Sequence, residues 1–220
     1  MIRKLIRILK ITLFGSIPSK WIFTKIYDDN LWGNAESRSG PGSSLKQTFI
    51  VRKELINLIE ERSINSLLDI PCGDFNWLSK ENFSIKYTGA DIVSEIIKNN
   101  NLKYSSKNIN FIELDIIYDF IPNADLILCR DLLVHFNNKQ IQKSLRNIQK
   151  SKAKYLLVTT FPGIKENFNI ITGEWRPIDL TQPPFNFPSP VKIIEEGCEE
   201  SNYHGHKKCL GLWKIQDIKV

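Results

Sequence analysis

Two short stretches of the 220-residue chain carry side chains suited to chemistry. The first, "SLLDIPCGDFNWL" (66–78), is an apolar run that stops at Asp69-Ile70-Pro71-Cys72-Gly73-Asp74, with Phe75 and Trp77 close behind. A turn that only reverses the chain does not need two carboxylates around its glycine. A turn that holds a ligand uses both: the glycine lets backbone come close, and Asp69 and Asp74 offer carboxylates to a cation or an amine. The second stretch, "ADLILCRDLLVHF" (124–136), carries Arg130, Asp131 and His135. On a helix after a strand, Asp131 and His135 are spaced i, i+4 and share one face. His135 has a pKa suited to taking a proton from a hydroxyl, with Asp131 orienting it. The plainer reading of the pair is a helix N-cap aspartate and a packed histidine.

The elements that must position these groups show as apolar runs alternating with helical patterns. Strands are expected at 66–70, 87–90, 109–114, 125–129 and 155–160, and helices at 45–62, 75–81, 93–101 and 137–150. Such alternation implies right-handed βαβ units and a parallel sheet. "VKIIEE" and "KKCLGLWKI" read as two late strands closing the sheet as an antiparallel hairpin. The carboxyl ends of parallel strands share one edge, where ligands bind. The first four strands end at Asp69, Asp91, Asp115 and Arg130-Asp131. Each acid alone reads as a helix N-cap, but four in register point to a site.

The ligand can be narrowed. A dinucleotide needs G-x-G-x-x-G, and these positions hold Pro71, Gly73 and Phe75. No G-x-x-x-x-G-K-[ST] phosphate loop is present either. Asp91 follows Asp69 by 22 residues, about where an acid accepts hydrogen bonds from ribose hydroxyls. Ribose plus an amine, without phosphate, describes S-adenosylmethionine.

Through Asp69–Phe75, "YTGADIV" (87–93), "FIELDI" (111–116) and "ADLILCRDLLVHF", the chain resembles the class I S-adenosylmethionine-dependent methyltransferases over residues 45–160. It is similar to a bacterial subfamily carrying "LWGNAESRSGPGSS" before the domain and "GEWRPIDL" after it. The resemblance implies an α/β fold: a Rossmann-like, doubly wound, mostly parallel seven-stranded sheet with a C-terminal antiparallel strand and helices on both faces. It implies that Asp69, Pro71, Gly73, Asp74 and Trp77 surround the methionine portion of S-adenosyl-L-methionine, with Asp74 and Trp77 compensating for two lost motif glycines. Asp91 would take the ribose, Ile92 the adenine face, and Asp115 and Ile116 the adenine ring and its amine. Cys129 and Arg130 would lie near the cofactor's carboxylate or the transferring methyl. The activity implied is methyl transfer on a sugar or phosphorylated small molecule of surface-polysaccharide synthesis, with oxygen favoured over nitrogen if His135 serves as base. The alternatives are an RNA methyltransferase or a non-catalytic, membrane-associated scaffold that keeps the cofactor pocket.

Trp32, Arg38, Trp175 and Arg176 pair loop aromatics with arginines, which suits recognition of such an acceptor, or simply anchors loops. His204 and His206 form an H-x-H without an acid cluster or CxxC and read as a turn, so no metal is expected. The four cysteines likewise form no CxxC and read as reduced thiols of a cytoplasmic protein. Six of the 30 basic residues lie within residues 1–25, before the first acid; the other 24 are balanced by 24 acids. The neutral remainder argues against nucleic acid as a partner. Residues 1–14, "MIRKLIRILKITLF", have an amphipathic helical period. That helix either packs its apolar face on protein or lies on the inner, anionic face of a membrane. The chain thus divides into a helix and Gly/Ser-rich cap loop (1–44) and a methyltransferase-like domain (45–220).

Overall fold

A computed structural model describes residues 17–82, 84–197 and 205–219. The expected amphipathic helix, His204 and Cys198 lie outside the described residues. No described helix is long and apolar enough to cross a membrane.

The apolar runs form β1 (Ser66–Asp69), β2 (Lys86–Asp91), β3 (Ile109–Glu113), β4 (Leu126–Cys129), β5 (Tyr155–Thr160), β6 (Lys192–Glu195) and β7 (Cys209–Lys214). They join one sheet in the order β3-β2-β1-β4-β5-β7-β6. Only β7 runs antiparallel, pairing β5 and β6. β4 is buried at every residue, as a central parallel strand covered on both faces must be. Strand order reverses between β1 and β4, where the register sets Asp69 beside Leu128. This is the switch point at which open sheets of this kind bind ligands.

The helices are α1 (Ser19–Asp28), α2 (Phe49–Glu61), α3 (Ser94–Tyr104) and α4 (Asn138–Lys150). α4 turns Ile141, Ser144, Leu145 and Ile148 inward, and its N-cap Asn137 accepts from the Gln140 N–H at 2.9 Å. α2 buries Val51, Leu55 and Leu58 on the opposite face. Phe23 and Ile26 of α1 join the core beneath α4.

Two expected helices are absent. Residues 75–81 make only a 3₁₀ turn at Leu78–Lys80. Phe75 sits at φ 56° instead, sending its ring into a buried cluster with Tyr87, Phe111 and Tyr104 at 4.9, 5.1 and 5.2 Å. Burying that ring outweighs the left-handed backbone. After β4, Asp131 also has a positive φ, 58°, and Leu133–His135 is a 3₁₀ turn, so the i, i+4 helical face expected for Asp131 and His135 does not exist.

The proline-rich stretch after β5 has no regular structure, yet it buries Ile178, Leu180, Phe185 and Phe187. Arg176 explains how. Its guanidinium, fully buried, donates to the carbonyls of Leu133 and Val134 at 3.0 Å each, to Phe168 O at 3.1 Å and to Asn138 Oδ1 at 3.0 Å. Arg176 is therefore a tie between the stretch and the turn before α4, and the expected acceptor contact gives way to this anchoring. Arg176→Met should destabilise the protein by about 3 kcal/mol, because it removes the four hydrogen bonds that the buried guanidinium makes between this stretch and the turn. Urea unfolding measures this; a loss below about 1 kcal/mol would contradict the anchoring role.

Candidate active site

The cap loop before α2 is fastened onto the turn after β1. Asp74 accepts from Ser37 Oγ and the Arg38 N–H at 2.9 Å each and from Ser39 Oγ at 3.3 Å. The Asp74 N–H donates back to Ser39 Oγ at 3.0 Å. Asp74, expected beside the cofactor, thus spends its carboxylate on the loop. Gly73 has φ 53°, and a Cβ there would lie 2.1 Å from Ser39 Oγ. The glycine is required because the cap approaches, not only because a ligand does.

All four N–H groups of the turn are taken by protein acceptors. Cys72 donates to Ala90 O at 2.8 Å, Gly73 to Asp91 Oδ2 at 3.1 Å, Asp74 to Ser39, and Phe75 to Cys72 O at 3.3 Å. No amide nest remains for a pyrophosphate. The cleft between cap and strand ends has about 800 Å³ of empty volume including its mouth. Asp69, Pro71, Gly73, Trp77, Asp91, Ile92, Arg130, Asp131 and His135 line it. So do Trp32 and Arg38 of the cap, Phe23 and Tyr27 of α1, and an apolar side made by Val93, Ile96 and Leu132. Arg38 lies over the Tyr27 ring at 5.3 Å.

Two acids in this cleft are poised near neutrality. Burial pushes Asp69 up to about 7, against a 2.7 Å hydrogen bond from Tyr87 Oη. Burial pushes Asp91 up to about 6, against N–H groups of Val93 and Gly73 that donate to it.

A second cleft, about 710 Å³, opens beside the first and shares Trp32, Ser39, Asp131 and His135 with it. Its other walls are the loop Gly40–Gly42, Phe161, Trp175 and Lys208. Between the clefts lies an ionic group, buried at Arg130 and Glu196 and partly exposed at Asp131. Arg130 Nε and Nη2 bond the Glu196 carboxylate at 3.2 and 2.6 Å, and Nη2 also donates to Gly42 O at 2.9 Å. Arg130 Nη1 lies 3.3 Å from Asp131, and Lys208 bridges Asp131 and Glu196. Burial opposes ionisation of Asp131, but Lys208 and Arg130 outweigh it and hold its carboxyl down at about 2.

His135 is not oriented by Asp131, as expected from the sequence. Its Nδ1 is 3.1 Å from the Glu174 carbonyl, which can only accept, so Nδ1 carries the proton. Nε2 is left with its lone pair, on a ring stacked 5.3 Å from Trp32 and bordering both clefts. Burial lowers the His135 pKa, against the attraction of Asp131, and keeps the ring neutral near pH 7.

Asp115, Ile116 and Cys129 are placed elsewhere. Asp115 accepts from the Ile117 N–H at 2.8 Å in its own turn, Ile116 is core, and Cys129 is fully buried in β4. None of the three lines either cleft. His206 Nδ1 contacts Pro162 O at 3.3 Å in its turn. Sequence reasoning missed Lys208 and Glu196; the doubled lysine before β7 was their only trace.

No family model and no curated protein sequence matches the chain. Solved structures do. PigF with SAH aligns at TM-score 0.61 over 93% of this chain and 64% of that one, at 16% identity. The N-methyltransferase NodS from Bradyrhizobium japonicum WM9, in complex with SAH, aligns at 0.60 over 86% and 97%, at 14% identity. The chain shares the Rossmann-like fold of these structures. Human N-acetylserotonin methyltransferase in complex with SAM shares it more loosely, at TM-score 0.50 over 91% and 61% with 16% identity.

The raised acids set a pH dependence. With ordinary values of 3.8, Asp69 and Asp91 ionise in the unfolded chain well before they do in the fold. Between these values the folded state holds more protons, so stability falls as pH rises from about 4 to about 7. Thermal unfolding of the ligand-free protein should show this decline, and Asp69→Asn should flatten it. An unchanged slope in that variant would contradict the burial of an ionisable Asp69.

Proposed function

We propose that the chain is an S-adenosylmethionine-dependent methyltransferase that methylates a hydroxyl of a small polar acceptor, of the sugar or phosphorylated-sugar kind used in surface-polysaccharide synthesis. The observation that carries the cofactor reading is the first cleft's composition. It offers two poised carboxylates and an apolar side, with every turn amide already occupied. A cationic, ribose-bearing ligand without phosphate fits these groups. Asp91 would accept from the ribose, Ile92 and Val93 would flank the adenine, and Asp69, Gly73 and Trp77 would lie toward the charged tail. A bound cation would draw Asp69 and Asp91 into their ionised forms. When bound, S-adenosylmethionine supplies an electrophilic methyl, whose bond to sulfur breaks with its electron pair as the acceptor oxygen takes the carbon.

The protein's part is positioning and proton removal. The acceptor enters the second cleft, whose common wall with the first is Trp32, Asp131 and His135. His135 Nε2 takes the hydroxyl proton. The Glu174 carbonyl fixes the ring throughout, and the Asp131 charge nearby stabilises the imidazolium that forms.

Two variants test the assignments. Asp91→Ala should weaken S-adenosylmethionine binding about tenfold or more by calorimetry, since the ribose hydroxyls and neighbouring amides lose their acceptor. Unchanged affinity in a folded variant would reject this placement of the cofactor. His135→Ala should lower turnover about a hundredfold while cofactor affinity holds, and should remove an ionisation below neutrality from the pH profile. Near-native turnover would reduce His135 to a wall residue and favour an amine acceptor.

A further inference from the structure

We infer that the second cleft is built for the uncharged ring of a saccharide. The inference rests on the methyltransferase reading and names the acceptor class of that same site.

The cleft's walls are aromatic. Trp175 is held edge-on to Phe161 at 5.8 Å and 85°, yet stays 44% exposed. Across the shared wall, Trp32 is fixed by its stack on His135. Large rings that are held in place but left partly bare offer flat apolar faces, and the C–H face of a pyranose packs on such a surface at little entropic cost.

The cleft's charge excludes a phosphorylated ligand as the group gripped there. Its one lysine, Lys208, already serves Asp131 and Glu196, the latter at 3.3 Å. Arg130 is committed to the same two carboxylates. Two cations and two anions cancel, so no net positive field is left to offset the desolvation of a phosphate.

What remains on the polar side is an alternation of donors and acceptors. Asp131 and Lys208 border the cleft: the carboxylate has acceptor lone pairs to spare, and the ammonium has a third N–H beyond its two carboxylate partners. Adjacent sugar hydroxyls donate and accept together, and so match that alternation. A flat phenol has one hydroxyl and would leave the ion pair stripped of water. The loop keeps this edge open with glycine. A Cβ on Gly42 would stand 3.4 Å from Asp131 Oδ2 and 3.7 Å from Lys208 Nζ, covering both.

The test uses the full-length protein in two stages. Calorimetry with S-adenosylmethionine first establishes the cofactor; no binding there rejects the methyltransferase reading itself, and the acceptor inference with it. With the cofactor bound, release of S-adenosylhomocysteine is measured against methyl glycosides of common hexoses and deoxyhexoses, the matching sugar 1-phosphates, and simple phenols. Turnover of neutral glycosides, unaffected by millimolar inorganic phosphate, is expected. Trp175→Ala should raise KM for the glycoside about tenfold while cofactor affinity stays unchanged, because Trp175 borders only the second cleft. Cofactor binding with turnover confined to phosphates or phenols, or with no glycoside turned over, overturns the inference. So does competition by inorganic phosphate.

Discussion

Four charges gathered at one point, two of them buried, set the geometry of everything around them. Arg130 and Glu196 have side chains 4% and 0% exposed, and Asp131 and Lys208 complete the group. Charges withdrawn from water are tolerated only when each finds its counterpart, and deleting one leaves its partner stranded at a cost of about 3–5 kcal/mol. The group also gathers distant parts of the chain. Arg130 and Asp131 follow β4, Glu196 follows β6, Lys208 precedes β7, and the Gly42 carbonyl brings in the cap. Both clefts exist because these pieces are held at one point.

A second fastening works beside it through neutral and singly charged groups. Asp74 grips Ser37, Arg38 and Ser39, and Gly73 makes room for Ser39 to approach. Asn76 adds bonds to Ser43 O at 3.1 Å and Glu36 Oε1 at 2.9 Å. The cap is therefore laced to the turn after β1 along its length, and its Trp32 becomes the partition between the clefts. A polar loop with glycine and serine is ordered here by specific acceptors rather than by apolar burial.

How much of this was legible follows from where each interaction sits along the chain. Strand positions and their parallel arrangement were readable, because apolar runs and helix spacing are local signals. Asp69, Asp91, Gly73 and His135, which border one cleft, were expected together because strand ends converge by topology alone. Asp74 and Arg176 were given ligand roles because most of the partners they bond lie 35 to 43 residues away and leave no pattern in sequence. Asp131 and His135 were placed on a helix because i, i+4 spacing cannot reveal a left-handed aspartate. The ion pair of Asp131 with Lys208, 77 residues apart, was invisible for the same reason.

The span of these contacts also bears on how the protein is made. Synthesis delivers the cap before the sheet and Lys208 only after β6, and Arg130 must wait 66 residues for Glu196. A nascent chain that has completed β1 to β5 holds the strand-end acids but lacks the carboxylate and ammonium that neutralise Arg130 and Asp131. Assembly of the clefts is thus a closing event, deferred until β6 and β7 leave the ribosome, whereas most of the parallel sheet is available earlier. A chain cut short before Lys208 and β7 would carry the acids of a binding site without the enclosure that makes them one.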